Sequence, residues 1–189
     1  MEDSINKPLC GIDEAGRGPI AGSLVMAGVV LTGRVEGLMD SKKLTEKKRE
    51  ALFDLIRENS RHHIVTFSAK QVDALGISRC LQQGLRMIQQ HLFGCDYLFD
   101  GNSTFGVDNI TTMVKADEKV EEVSAASILA KVTRDREMLE LAEKYPEYGF
   151  EKHKGYGTKA HIEALAKYDR CEVHRVTFRI KALDEPTLF

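Results

Sequence analysis

From Leu24 to Leu31 the chain reads LVMAGVVL, with no polar side chain anywhere in the run. It is far too short to cross a bilayer, which takes about 20 apolar residues. It also lacks the apolar–polar alternation of a strand with one wet face. The run reads as a central strand covered on both sides. Such a strand requires a sheet sandwiched between further layers.

The flanking pattern supplies those layers. Leu9–Asp13 (after Pro8), His63–Phe67, Asp96–Asp100 and Asn109–Val114 read as strands. The spacing predicts a helix over Thr45–Asn59, with Thr45 as cap, Glu46 in the first turn and an apolar stripe of Ala51, Leu52, Leu55 and Ile56. Ile77, Leu81, Leu85, Ile88 and Leu92 recur at helical intervals and predict a second. Glu121–Lys144 reads as a long helix ending before Pro146, Gly149–Gly157 as a loop, and Thr158–Tyr168 as the last helix. Strands alternating with helices indicate an α/β layer structure. At 189 residues, 42% of them hydrophobic, the chain can bury a core without staples.

Charge and cysteine usage narrow the chemistry. The formal net charge is −2, but Lys152–Lys181 holds eight Lys/Arg against three Asp/Glu, and SKKLTEKKRE is rich in lysine. Basic surface is therefore local. The four cysteines, Cys10, Cys80, Cys95 and Cys171, form no C-x-x-C pair, which argues against a disulfide framework or zinc site and fits a cytoplasmic protein. The polar N-terminus is no signal peptide, and no membrane association is expected. The six histidines offer no i, i+4 ligand pair; surface or substrate-edge positions are expected for them.

The carboxylates are less ordinary. Asp13 and Glu14 end the first strand and are followed at once by Gly16-Arg17-Gly18. Asp100 ends a later strand, and Asp117 follows the next. If these strands run parallel, their carboxyl ends share the sheet edge where ligands bind in open α/β folds. Grouped carboxylates repel unless protonated or neutralised, and hard divalent cations are the usual partner. Two such ions about 3.5–4 Å apart can cleave phosphodiesters. A plainer account remains open: strand-end acids cap turns, and Arg17 can neutralise Asp13-Glu14 as a structural partner. Asp135, between Arg134 and Arg136, is a rival fourth ligand or a member of surface ion pairs.

Five blocks in order resemble the ribonuclease HII enzymes: GIDEAGRGPIAG, DSKKL (Asp40–Leu44), FDGN (Phe99–Asn102), KADEKVEEVSAASILAKVTRDR (Lys115–Arg136) and HKGYGT (His153–Thr158). The resemblance implies a ribonuclease H-like fold: a mixed five-stranded sheet flanked by helices, with additional C-terminal helices. It implies a catalytic domain over residues 1–144 and a C-terminal helical extension, 145–189, packed on it. It maps an acidic quartet onto Asp13, Glu14, Asp100 and Asp117, holding Mg2+ or Mn2+, two ions during catalysis. The implied activity is cleavage of the RNA strand of RNA–DNA hybrids and incision 5′ of ribonucleotides embedded in duplex DNA, leaving 3′-hydroxyl and 5′-phosphate ends.

Under the same resemblance, Gly16, Arg17 and Gly18 bring backbone close to the sugar and read its 2′-hydroxyl, the group that separates RNA from DNA. Tyr156 packs on the following deoxyribose, and Lys42 contacts phosphate. On residue chemistry alone, Tyr156 reads as a buried loop anchor and Lys42 as part of a solvated run. The small residues Ser124, Ala125, Ala126 and Ala130 allow their helix to lie close to the sheet; Lys131 and Arg134 face phosphate or solvent. The tail VHRVTFRIKALDEPTLF follows the family's ending loosely, with Val176-Thr177 at variance, and carries no evident replication-clamp motif. A monomer is expected. The rival readings are a DNA nuclease or resolvase on the same fold, and a non-catalytic nucleic-acid-binding domain.

Overall fold

The computed structural model describes residues 7–38 and 44–184. Its centre is a five-stranded sheet in the order β3-β2-β1-β4-β5, built from β1 (Leu9–Ala15), β2 (Leu24–Leu31), β3 (Ser60–Phe67), β4 (Asp96–Asp100) and β5 (Ile110–Met113). β2 pairs antiparallel with β1 and β3, whereas β4 runs parallel to β1 and β5. The sheet is thus mixed, and β1 and β4 bring their carboxyl ends to one edge.

The helices are α1 (Glu46–Glu58), α2 (Ala69–Leu75), α3 (Ile77–His91), α4 (Glu121–Lys144), α5 (Phe150–His153), α6 (Lys159–Tyr168) and α7 (Lys181–Asp184). Leu24, Met26 and Val30 of β2 pack toward α3, with Leu81, Leu85 and Ile88. Val25, Ala27 and Val29 pack on the opposite face, with α1 and the Ala125–Leu129 stretch of α4. The two-faced burial expected of β2 is what the sheet uses.

α4 lies very close to β1. A Cβ on Gly11 would sit 2.2 Å from the Glu122 carbonyl carbon, so only glycine fits at that strand position. Ala125, Ala126 and Ala130 are wholly buried on α4, as their size suggested. A third apolar cluster joins Ile20 and Ala21 to Met138, Tyr148, Phe150, Leu165 and Ile180, packing the C-terminal helices onto the loop after β1.

Several elements differ from the sequence reading; β1 runs through Glu14 to Ala15, and β5 is the shorter Ile110–Met113. Edge strand β3 begins at Ser60 rather than His63, because its polar first half still pairs fully with β2. α2 was not expected; Ser68 and Gln71 close a reciprocal capping box over this short helix. The expected Gly149–Gly157 loop contains α5, which is confined to four residues by left-handed residues Gly149 and Lys154 at either end. α6 is not the last helix, since α7 follows it.

Candidate metal and nucleic-acid site

Asp13 lies on the face of β1 that meets α4. Cys10 and Ile12 turn to the α3 side, so Gly11 and Asp13 turn to the other. Asp100 ends the parallel neighbour β4. After β5, Lys115 takes a left-handed conformation (φ 58°) that reverses the chain into a 3₁₀ turn, Ala116–Glu118. That reversal returns Asp117 to Asp100, whose Oδ1 accepts from Lys115 N at 2.9 Å. Carboxylate oxygens of Asp13, Asp100 and Asp117 lie within 4.8 Å of one another. Asp13 and Asp117 are buried.

Glu14 is close but differently held. Arg17 Nη2 reaches its Oε1 at 2.6 Å, and its Oε2 is buried without a hydrogen-bond partner. The structural role considered for Arg17 is therefore real, but it serves Glu14 and leaves Asp13 aside. Arg17 also lies 5.9 Å from the Phe105 ring centre, which steadies it.

The electrostatics follow from this crowding. Burial, then the neighbouring Glu14, raises Asp13 well above the usual carboxylate range; the Ser127 hydroxyl opposes this weakly. Burial pushes Glu14 up to about 7, against the pull of Arg17. Asp100 is raised by burial and by sharing a hydrogen bond with Asp117. Converging carboxylates from three segments, together with an orphaned buried oxygen on Glu14, suit a hard divalent cation with oxygen ligands.

Beside the acids runs a groove of about 410 Å³, lined by Glu14, Gly16, Arg17, Gly18, Arg49, Ser127, Lys131 and Tyr156, among others. Tyr156 is half-exposed on its wall, so the buried-anchor reading does not hold. Gly18 is exposed, while Gly16 is buried with φ 95°; a Cβ there would sit 2.4 Å from Arg134 Nε. Gly16 is thus required by internal packing as well as by any ligand. Lys42 lies outside the described residues.

Arg134 and Asp135 are corrections. Arg134 faces neither phosphate nor solvent: it is buried and donates from Nε to Ser23 O (3.1 Å) and from Nη2 to Ala21 O (3.1 Å). Asp135 is buried rather than superficial, and accepts from Lys131 Nζ at 2.5 Å. It stands outside the acidic cluster, so its part is to hold Lys131 along the groove. The histidine expectation fails for His161 and His174, which are buried, while His91 is exposed.

Some residues went unread in the sequence. Ser127 is one; with Lys131 and Arg134 it forms an i, i+4, i+7 polar stripe on its helix, and that spacing was the available signal. Arg175, also fully buried, donates to the carbonyls of Pro19 (2.9 Å), Gly22 (3.0 Å) and Ser23 (2.9 Å). Nothing local in the sequence marks it, since its acceptors lie at the other end of the chain.

A mixed α/β sheet with clustered carboxylates at the ends of parallel strands, opening on a basic-walled groove, defines a phosphodiester-cleaving nuclease of the ribonuclease H-like class. A family model described as Ribonuclease HII matches residues 10–93 and 96–181. The chain belongs to the ribonuclease HII family, and it is a ribonuclease H endonuclease acting on nucleic acid. It is 78% identical to the ribonuclease HII of Sulfurovum sp. (strain NBC37-1) over 97% of each chain. It is 56% identical to that of Aliarcobacter butzleri (strain RM4018) over 95% of this chain and 94% of the relative. A solved ribonuclease HII from Archaeoglobus fulgidus, in complex with PCNA, superposes with TM-score 0.80 at 30% identity, over 92% of this chain and 96% of that one. Among the described residues no helix is long and apolar enough to cross a membrane.

Proposed function

We propose that Asp13, Glu14, Asp100 and Asp117 hold the divalent cations of this nuclease, and that Gly16-Arg17-Gly18 and Tyr156 select the nucleotide that is cut. The observation that carries this reading is the meeting of Asp13, Asp100 and Asp117 within 4.8 Å, from three separate segments. Bound there, Mg2+ or Mn2+ supplies counter-charge for the scissile phosphate and acidifies the attacking water.

The chain's own groups do the rest. Lys131 and Arg49 on the groove wall attract the phosphate backbone. The Ser127 hydroxyl and the Glu14 amide both donate to Asp13, the amide at 2.7 Å, fixing the carboxylate's orientation. The Arg17 guanidinium holds the Glu14 carboxylate in place and offsets part of the burial that raises it. Backbone at Gly16–Gly18 takes the 2′-hydroxyl, a contact that a deoxyribose leaves unmade. The exposed Tyr156 ring packs on the deoxyribose that follows. The described part of the 145–189 extension, residues 145–184, belongs to the same unit and braces the loops that carry these groups.

The substrates are the RNA strand of RNA–DNA hybrids and single ribonucleotides in duplex DNA, cut on the 5′ side to leave 3′-hydroxyl and 5′-phosphate ends. The test is cleavage of a DNA duplex carrying one ribonucleotide, with Mg2+ or with chelator, beside an all-RNA strand and an all-DNA duplex. Cleavage confined to the ribonucleotide-containing duplexes, and only with metal, is expected. Comparable cleavage of all-DNA overturns the assignment of the sugar-reading loops.

A further inference from the structure

Three histidines surround the Gly155-Tyr156 peptide, and their hydrogen-bond partners fix where each proton sits. His161 Nδ1 lies 2.9 Å from Tyr156 O. A carbonyl only accepts, so Nδ1 carries the hydrogen. His161 Nε2 lies 3.0 Å from His174 Nε2. With its hydrogen on Nδ1, His161 Nε2 can only accept, so the His174 proton is on Nε2 and His174 Nδ1 accepts from Cys171 N at 3.0 Å, with Cys171 Sγ (3.2 Å) and Cys171 O (3.3 Å) also beside it. The result is a one-way chain: Cys171 N–H to His174, His174 to His161, His161 to Tyr156 O. His153 completes the enclosure. It donates from Nε2 to Tyr148 O (2.8 Å), accepts from Gly155 N (3.3 Å), and stacks on His161 with centroids 4.3 Å apart.

The surroundings keep this chain neutral. Burial is the main reason, and it holds both His161 and His174 down to about 4. Phe150 packs edge-on against His161, and among the described residues no carboxylate bonds to either ring. An added proton would set two N–H groups against each other. The same peptide is tied to the loop after β1, since Gly155 O accepts from Ile20 N at 2.9 Å and Ala21 N at 3.3 Å.

We propose that His161, oriented by His174, is a positioning residue that fixes the Tyr156 carbonyl and thereby sets the Tyr156 ring on the groove wall. The inference rests on the reading of Tyr156 as the sugar-packing residue. His161 touches no substrate. It acts through the backbone of the residue that does.

The test uses paired substitutions in the full chain. In His161→Asn the side-chain amide nitrogen replaces Nδ1 and keeps the donor to Tyr156 O. In His161→Gln the amide reaches the Nε2 position, meets His174 and abandons Tyr156. Both remove the ring, so a merely structural role costs both alike. Long-range 1H–15N spectra of the wild type at pH 7 should show His161 protonated on Nδ1 and His174 on Nε2. On the single-ribonucleotide duplex, His161→Gln should lose about tenfold in kcat/KM, the scale of one net hydrogen bond. His161→Asn should stay within about threefold of wild type. Amide exchange at Gly155 and Tyr156 should quicken in His161→Gln only. The reverse tautomers, an imidazolium at either site, or equal exchange in the two variants overturns the relay. Tyr156→Ala run in parallel separates the two readings. Full activity in Tyr156→Ala, with exchange still differing between the His161 variants, overturns the sugar-packing role and supports the relay.

Discussion

The acidic centre and the histidine cluster are both buried groups of titratable side chains, yet they are built on opposite terms. Asp13, Asp100 and Asp117 set like charges together, with only a few donors from their own chain and an orphaned Glu14 oxygen beside them. His153, His161 and His174 pair their ring nitrogens through backbone groups and one another, and the neighbouring Arg175 spends its donors on loop carbonyls. A cluster of like charges is completed by a cation from outside; a cluster whose groups pair with one another is scaffold. The contrast separates the part that handles the ligand from the part that holds the handling groups still.

The sharpest way to break this contrast is to neutralise one acid. Asp100→Asn should cut cleavage on the order of 100–1,000-fold, the scale of losing one preorganised electrostatic contact. Its stability in chelator should be unchanged or higher, because repulsion is relieved. Initial rates and urea melts check both halves. Near-normal cleavage would show that the acids are not the ligand centre.

Arg175→Ala probes the scaffold and should behave in the reverse manner. With several buried carbonyls losing their donor, stability should fall by about 2–3 kcal/mol in urea titration. An unchanged midpoint would mean that the loop after β1 holds its shape unaided.

Next in size is the response to cation and pH. Mg2+ at ten times its Kd should stabilise the wild type by about 1.4 kcal/mol and Asp100→Asn much less, read as thermal shifts. In chelator the two regions should titrate with opposite sign. Glu14, raised from 4.5 to about 7, favours the folded state fully below 4.5, and that contribution is lost as pH rises through 7. His161 and His174, lowered from 6.5 to about 4, favour it fully above 6.5, and that contribution is lost as pH falls through 4. These windows overlap between 4.5 and 6.5, where the opposed contributions offset each other, so metal-free stability should fall away below and above that overlap, and Mg2+ should extend the plateau upward. A monotonic profile in chelator would remove the contrast.

The smallest effect belongs to Asp135. Asp135→Asn should keep a hydrogen bond to Lys131 and cost less than about tenfold in kcat/KM, whereas Asp117→Asn should match Asp100→Asn. Equal losses at both positions would place the centre wrongly.

Local patterns foretold what depends on local sequence. The unbroken apolar run of β2 announced burial on two faces, and α4 ends before Pro146 as the sequence indicated. Asp13, Asp100 and Asp117 were readable because each lies near the end of a strand or follows one, although β1 itself runs on to Ala15. The helix α2 was missed although its capping box, Ser68 and Gln71, is visible, because so short a helix has no periodicity to detect. Buried Arg134 and Arg175 could not be read at all. Their burial depends on carbonyls of residues 17–23, more than a hundred positions away, turning inward to meet them. Asp135 was misplaced for the same reason, since flanking arginines suggested solvent while the fold put that helix face inside. The departure at Val176-Thr177 keeps its chemistry: Thr177 Oγ1 donates to Asp73 Oδ1 at 2.6 Å.

The parallel pairing of β1 with β4, where Leu9–Ile12 lie beside Asp96–Phe99, has a bearing on when the enzyme comes into being. Parallel neighbours need a long crossover, and here β2, α1, β3, α2 and α3 all intervene before the pair can close. Loop closure over such a span comes at an entropic cost before any contact rewards it. A chain still emerging from the ribosome can build the β1–β2–β3 meander early, but Asp13 has no Asp100 beside it until β4 docks. Cutting power is thus withheld from every partly made or partly unfolded form of the protein, and cation binding becomes a report on complete topology.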